Sequence, residues 1–104
     1  MAEHPYKLLY AESAITVTTS GVNYGNGLTT PTWKGTAKRI FVDNYGATNP
    51  VHIGLDIDKI NTDTAGANDF RVREATSKER DCWFNDVSFK MASSTTTIDI
   101  EIWG

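Results

Sequence analysis

Hydrophobic and polar residues alternate along much of the chain with a period of two, which is the pattern of β-strands that bury one face. The clearest case is the segment 95–103, which reads TTTIDIEIW. It places three isoleucines on one face and two carboxylates on the other, namely Ile98, Ile100 and Ile102 against Asp99 and Glu101. We predict that this segment is a half-buried antiparallel strand that belongs to the core.

The same alternation recurs in shorter segments, and Gly, Asn, Ser and Thr separate them, whereas no long helical period appears. These segments are 14–18, 38–43, 51–57, 70–73, 82–84 and 87–91. Counted with the terminal segment, they indicate roughly seven or eight strands, which suffices for two packed sheets. The fold prediction is therefore all-β: a single-domain antiparallel β-sandwich over residues 1–104, of jelly-roll or immunoglobulin-like type.

The segments between the strands carry turn-forming residues. Asn26-Gly27 suits a tight hairpin turn, so Tyr24–Gly27 is predicted to be a loop or hairpin tip. Asn44–Pro50 is predicted to join the strands on either side of it into a β-hairpin. Residues 61–69 suggest an exposed loop, and 75–80 a turn or a brief helix. Residues 1–10 suggest an amino-terminal arm that orders on a neighbouring molecule.

Charge and composition narrow the classes of partner. The formal net charge is −3 and the isoelectric point is about 5.2, which argues against nucleic acid as the main partner. The local basic cluster of Lys34, Lys38 and Arg39 is better interpreted as a solvated strand edge than as a phosphate site. No stretch is long and apolar enough for a bilayer span, and no export signal precedes the first strand, so we expect synthesis in the cytoplasm and no membrane partner.

Candidate catalytic residues do not form a recognisable set. Cys82 is the single cysteine, which excludes an internal disulfide, and we expect it to be a small core residue because neither His4 nor His52 is suitably spaced to activate it. His52 and Asp56 lie two alternations apart on one strand, too far for a direct hydrogen bond. Asp99 and Glu101 occupy ordinary outward positions. We therefore predict that the protein is not an enzyme, with no catalytic residues and no cofactor.

An acidic stretch raises the question of a calcium site. It contains Asp56, Asp58, Asn61, Asp63, Gly66 and Asp69. The spacing from Asn61 follows a calcium-binding loop at first, but Val72 stands where the closing Glu belongs. A solvated turn is the better interpretation, no metal ligands are assigned, and a surface ion stays an alternative.

Three aromatic residues stand beside loop-forming residues rather than inside apolar alternation: Tyr24, Trp33 and Tyr45. Exposed aromatic rings stack on sugars or anchor protein interfaces, so these three are the interface or ligand candidates. The alternative is that they fold back over the open ends of the sandwich, since large aromatic side chains are buried on average.

Four segments follow one another in residues 38–104, namely KRIFVDNYG, VHIGLDI, WFNDVSFKMA and TTTIDIEIWG. This layout includes no diagnostic motif, but it resembles small bacteriophage virion proteins, a group that includes capsid decoration (cement) proteins and the β-sandwich domains of head and tail fibres. It implies a virion structural protein, without cofactor or catalysis, that binds an assembled capsid or tail and self-associates, often as a trimer.

Two hypotheses follow. The first is a non-enzymatic virion structural protein that adheres to a capsid or tail protein as a homo-oligomer. The alternative is a carbohydrate-binding β-sandwich module in which Tyr24, Trp33 and Tyr45 line a sugar platform. An enzyme would require a pocket in which His52 meets Cys82 or a carboxylate.

Overall fold

Two antiparallel sheets make up the structure, a computed structural model that describes residues 5–46, 49–55 and 70–104. The eight strands within these ranges are β1 (Leu8–Val17), β2 (Val22–Gly25), β3 (Ala37–Asn44), β4 (Val51–Leu55), β5 (Phe70–Val72), β6 (Thr76–Phe84), β7 (Asp86–Lys90) and β8 (Thr96–Trp103). Sheet A has the order β1-β8-β3-β6 and sheet B the order β2-β7-β4-β5. The predicted all-β antiparallel sandwich of seven or eight strands is confirmed.

The strand pairs are nested along the chain. β1 pairs with β8, β2 with β7, β3 with β6 and β4 with β5, all antiparallel, while β8 and β7 also pair with β3 and β4. This is the strand order of an eight-stranded jelly roll. Of the two sandwich types expected from the sequence, the structure therefore has the jelly roll.

The predicted hairpin between the third and fourth strands is wrong. β3 lies in sheet A and β4 in sheet B, so the connection crosses from one sheet to the other instead of turning back along the same sheet. In fact β4 and β5 are the only consecutive strands of this set that pair with each other. Alternation and turn residues specify strand ends, but they do not specify which sheet the next strand joins.

The inner faces of the two sheets supply the core. All three isoleucines of β8 are buried, as predicted, and β8 lies between β1 and β3. Buried side chains from the other strands include Ile15, Val17, Ile40, Val42, Val51, Ile53, Leu55, Phe84, Val87 and Phe89. Each fully buried Val, Leu, Ile or Phe stabilises the fold by about 1.5 to 3 kcal/mol relative to exposure, so these rows hold the sheets face to face.

Three local predictions need correction. Thr76–Phe84 is strand β6, although its first five residues were expected to form a turn or brief helix. Tyr24 lies in strand β2 rather than in a loop. The predicted arm does not extend to residue 10, because Leu8–Val17 is strand β1, and Lys7 exchanges two backbone hydrogen bonds of 2.8 Å with Gly104.

Some predictions fall on residues outside the described ranges. These are the amino-terminal residues 1–4, the end of the predicted strand at 56–57, the polar loop at 61–69 and the candidate calcium ligands from Asp56 to Asp69.

A buried amide connects the two sheets at one end of the sandwich. Asn44 is fully buried at the end of β3. Its Nδ2 donates hydrogen bonds to the carbonyl oxygens of Val72 (3.0 Å) and Asn49 (3.1 Å). Its Oδ1 accepts from Thr96 Oγ1 (2.6 Å) and from the Gly46 N–H (3.3 Å). The amide thus binds β8 in sheet A, β5 in sheet B and the connection between β3 and β4.

Glycine at position 46 is required by this arrangement. A Cβ atom built there would overlap the Thr96 hydroxyl, the same group that donates to Asn44. Any larger residue would displace that hydroxyl or move the turn, so the hydrogen bonds of Asn44 depend on the missing side chain at position 46.

Substitution of Asn44 by Ala is expected to lower the free energy of unfolding by about 2 to 4 kcal/mol, because it leaves several buried donors and acceptors unpaired. Thr96→Val, which removes one of these donors, is expected to cost about 1 to 2 kcal/mol. The matched control is Thr97→Val on the outer face of the same strand, expected to change stability by about 0.5 kcal/mol or less. Urea unfolding followed by tryptophan fluorescence measures all three, and equal effects of Thr96→Val and Thr97→Val would contradict the assignment.

Candidate functional site

The three aromatic candidates lie in different environments. Trp33 is buried, with only 4% of its surface exposed, and packs edge to face on Phe84 with 6.0 Å between ring centroids. Tyr24 is half-buried on β2 and packs against Phe89. Tyr45 is 46% exposed and follows the opposite end of β3. Since Phe84 pairs with Ala37 at the start of β3, that strand separates Trp33 from Tyr45 by about 20 to 25 Å. The three residues do not form one sugar platform.

Trp33 and Tyr24 belong to an internal cluster at the side of the sandwich where β1 approaches β2. Tyr10 of β1 lies 5.7 Å from Tyr24 and 6.4 Å from Trp33, measured between ring centroids. The Tyr10 hydroxyl donates a hydrogen bond to the Glu12 carboxylate, and the Tyr24 hydroxyl lies 3.5 Å from its other oxygen. For Trp33, the structure confirms the alternative that a loop aromatic folds back over the core.

The cluster holds its tyrosines in the neutral form. Burial, followed by the hydrogen bond to Glu12 and its negative charge, raises the pKa of Tyr10 above its usual range. Burial and the charge of Glu12 also raise the pKa of Tyr24. Glu12 is half-buried and accepts from both hydroxyl groups, so the cluster supports the closed side of the sandwich rather than an open site.

The outer face of sheet A carries the exposed aromatic side chains. Trp83 on β6 is 75% exposed, and Leu8 at the start of β1 is 50% exposed. Leu8 pairs with Trp103, which in turn pairs with Arg39 of β3. The outward phase of the strands also brings Phe41 onto this face, between Glu79 and Glu101. Tyr6 lies beside it, with the Arg39 guanidinium 5.7 Å from its ring centroid.

Acidic and basic groups share the face with these aromatic residues. The outward positions of β3, β6 and β8 hold five carboxylates and two cations: Asp43, Glu79, Asp81, Asp99 and Glu101 against Lys38 and Arg39. Arg39 is bound to Asp81 through its Nε at 2.5 Å, and Glu79 lies 3.8 Å from it. We call this surface the aromatic-acidic face; its strand residues carry a formal charge of −3, from five carboxylates, one guanidinium and one ammonium group.

Tyr45 lies at one end of the aromatic-acidic face. Desolvation, a hydrogen bond to Asp99 and the charges of Asp99 and Asp43 raise its pKa above the usual range. Asp99 also accepts the N–H of Ala14 at 2.8 Å, which fixes its carboxylate. The prediction that Asp99 and Glu101 point outward is confirmed by their intermediate and exposed burial.

Two further predictions are resolved on sheet A. The basic cluster does not mark a strand edge, because Lys38 and Arg39 lie in β3, between β8 and β6. Their cationic groups lie over the Tyr6 ring, while Lys34 is exposed in the loop before β3. Cys82 is half-buried and packs against the core, close to the expected role as a small core residue.

The residues considered for catalysis do not meet. His52 alternates with the inward Val51 and Ile53 of β4 and therefore lies on the outer face of sheet B, whereas Cys82 alternates with the inward Phe84 on sheet A. Within residues 5–46, 49–55 and 70–104, no group of three or more His, Cys, Asp or Glu side chains could hold a metal ion. In the same ranges, no helix is long and apolar enough to cross a membrane.

Trp83 was missed at the sequence level, although the pattern contained a signal. Cys82 and Phe84 set the inward phase of the strand, which puts Trp83 in the polar phase. The same reasoning applies to Trp103, which continues the phase of Asp99 and Glu101. The alternation of a regular strand can therefore identify an exposed aromatic side chain, which the loop position of an aromatic residue does not.

Comparison of the chain with known protein families, with curated proteins and with solved structures found no match. The resemblance to phage virion proteins consequently rests on the order of sequence segments alone.

Removal of the two tryptophan side chains is expected to have very unequal effects on stability. Trp33→Ala should lower the free energy of unfolding by about 3 to 5 kcal/mol, because it empties a large volume in the core. Trp83→Ala should change it by about 0.5 kcal/mol or less, because that indole is in water. Urea unfolding monitored by circular dichroism measures both free energies. If Trp83→Ala lowered the free energy of unfolding by more than about 2 kcal/mol, as a core mutation does, the Trp83 side chain would have to pack on the protein.

The tyrosine cluster predicts a loss of stability in alkali. Below a pH of about 10, tyrosines are neutral in both the folded and the unfolded chain, so they contribute no pH dependence. As the pH rises further, tyrosines of the unfolded chain ionise while Tyr10 and Tyr24 stay protonated, and the free energy of unfolding falls.

Tyr10→Phe should make this fall smaller, which urea unfolding at about pH 9 and about pH 11 measures. An identical fall in wild type and Tyr10→Phe would contradict the role of the cluster.

Proposed function

We propose that the protein is a non-enzymatic structural protein of a virion, made in the host cytoplasm, whose aromatic-acidic face adheres to a basic surface of a capsid or tail protein. The observation that carries the proposal is Trp83, a 75% exposed indole in a regular strand, two residues from Asp81 on the same sheet face. Aromatic side chains of this kind contribute most of the energy in protein interfaces.

The fold is compatible with this function without deciding it. Eight-stranded jelly rolls occur in viral capsid proteins and in lectins, and one fold serves many functions. The layout of residues 38–104, which resembles phage decoration and fibre proteins, is what favours the virion assignment over the others.

Charge selects the kind of partner. A surface with a formal charge of −3 repels an equally acidic surface, but it attracts one that presents lysine and arginine side chains. The indole of Trp83 and the apolar groups of Leu8 and Trp103 would then be covered by the stems of those long side chains. Repetition of the contact on a symmetric capsid or tail adds the weak individual contacts into firm attachment.

Self-association into a homo-oligomer is part of the proposal, but it does not use the free edge of β6. Cations on β6 point inward, at Lys78 and Arg80, and its anions point outward, at Glu79 and Asp81. If two copies of β6 paired antiparallel about a two-fold axis, like charges would face each other on both sides of the joint sheet. A homo-oligomer, including a trimer, would therefore form without extending sheet A through β6.

Carbohydrate binding remains the second candidate because exposed aromatic rings beside carboxylates also suit sugars. It would have to use the aromatic-acidic face rather than the predicted platform, since Trp33 is in the core.

Sedimentation of virions from an infected lysate tests the attachment. Wild-type protein is expected in the particle fraction, and Trp83→Ala is expected to reduce its amount by about tenfold or more, as at an interface hot spot. Glu101→Lys should also weaken attachment, because it removes a charge that faces the partner. Glu74→Lys, away from the face, is the matched control with the same change of charge and should leave attachment unchanged. Quantitative mass spectrometry of the fractions provides the measurement.

Wild-type protein that never enters the particle fraction would contradict the proposal, as would equal attachment of wild type and Trp83→Ala. A glycan array distinguishes the second candidate: saturable binding to a neutral glycan that Trp83→Ala abolishes, without particle association, would replace adhesion to protein by carbohydrate binding.

A further inference from the structure

An open pocket of about 620 Å³ lies where the free edges of the two sheets meet at β5 and β6. Its lining residues are Pro50, Arg71, Arg73, Glu74, Thr76, Ser77 and Lys78. Three cations and one carboxylate give the lining a formal charge of +2, in a protein whose net charge is −3. The pocket is therefore an electropositive site on an acidic molecule.

The chain reverses direction between β5 and β6 and thereby brings the cations together. Ala75 adopts a left-handed conformation with φ of 58°, and the Thr76 hydroxyl donates to the Arg73 carbonyl at 2.8 Å. The ammonium group of Lys78 donates to the Arg71 carbonyl at 3.1 Å, which draws the β6 side chain across to β5. These hydrogen bonds fix the backbone at Arg71 and Arg73 and the side chain of Lys78, and all three residues line one opening.

The structure shows no ion pair of Arg71 or Arg73 with a carboxylate of the described residues. Within the described parts of the chain, the ion pairs are those of Arg39 with Glu79 and Asp81, and neither Arg71 nor Arg73 has one. Both side chains are exposed, so holding them does not require burial of an unpaired charge. Two guanidinium groups and one ammonium group around one opening repel one another, and an anion bound between them would relieve that repulsion.

We propose that this pocket binds a phosphate group. Guanidinium groups match phosphate oxygens with paired N–H donors, lysine adds a point charge, and the hydroxyl groups of Thr76 and Ser77 supply further donors. The volume exceeds that of a phosphate ion and falls in the range of small-ligand pockets, so the phosphate group is either free or carried by a larger molecule such as a phosphorylated sugar. The site is separate from the aromatic-acidic face and does not depend on the proposed function.

Titration of the ¹⁵N-labelled full chain with inorganic phosphate and with glycerol phosphate tests the site by nuclear magnetic resonance. At about pH 7.5, where phosphate is mostly the dianion, we expect saturable shifts of the amides of residues 71–78 with a dissociation constant of about 1 mM or tighter. Ionic strength is held constant with NaCl, so that screening alone gives no change along the titration. Tighter binding of glycerol phosphate assigns the site to a phosphate ester, and equal binding assigns it to the free ion.

Single substitutions identify the side chains that bind the phosphate group. Arg73→Gln and, independently, Arg71→Gln should each weaken binding about tenfold while the amide spectrum of the core is unchanged. Glu74→Gln should strengthen binding, because it removes the one negative charge of the lining. Lys34→Gln removes an exposed positive charge elsewhere and is the matched control, with affinity expected to equal that of wild type.

Shifts that fail to saturate at constant ionic strength would overturn the proposal. So would saturable shifts that lie outside residues 71–78, or an equal loss of affinity in Arg73→Gln and Lys34→Gln.

Discussion

The hydrogen bonds of the buried Asn44 side chain are the interaction on which this sandwich depends most. Aliphatic rows hold the sheets face to face, but such contacts are not directional. The Asn44 amide adds direction, because all four of its hydrogen bonds have fixed partners, on β8, β5 and the β3–β4 connection. A buried amide of this kind is costly if any partner is displaced, so it favours one alignment of the sheets over its neighbours.

The alignment of the two sheets matters because their strands differ in length. β5 has three residues and pairs with three residues of β4, whereas the strands of sheet A have eight to ten. A short edge strand makes few backbone hydrogen bonds with its neighbour. The hydrogen bond from the Asn44 amide to the carbonyl of Val72 attaches β5 directly to sheet A, which has the longer strands. Sheet A in turn provides a regular surface on which Trp83 and the charged side chains of the aromatic-acidic face are held at fixed spacing. The aromatic-acidic face and the internal amide therefore belong to one rigid unit.

Charged side chains and irregular strand pairing protect the free edges of sheet A from the addition of another strand. β6 presents alternating charges of opposite sign on its two sides, and β1 has register shifts in its pairing with β8. Both devices disfavour the addition of another strand. Association through the free strand edges is thereby disfavoured, and the contacts that we propose use side chains on the sheet face and in the β5–β6 pocket instead.

Strand positions could be predicted where one face is buried and the other is wet, as in Ile98–Ile102 and in Lys38–Asp43. The prediction failed for 76–80, because an edge strand with charges on both sides has no apolar phase to detect. The sheet in which each strand lies is set by long-range packing, which explains the wrong hairpin between β3 and β4. Asn44 was interpreted as a turn residue, and only the structure places its side chain inward.

Of the candidate site residues, Tyr45 is exposed as expected, Tyr24 is half-buried and Trp33 is in the core. Neighbouring residues alone do not determine whether a loop folds back on the core.

Native-state hydrogen exchange tests most directly whether the Asn44 amide makes the two sheets one cooperative unit. In the wild-type protein, we expect the slowly exchanging amides of β8 and of β4 to open with the same free energy. In Asn44→Ala, we expect the amides of β4 and β5 to exchange with a lower opening free energy than those of β8. Equal opening free energies in both sheets of Asn44→Ala, or separate opening of the sheets in the wild-type protein, would contradict it.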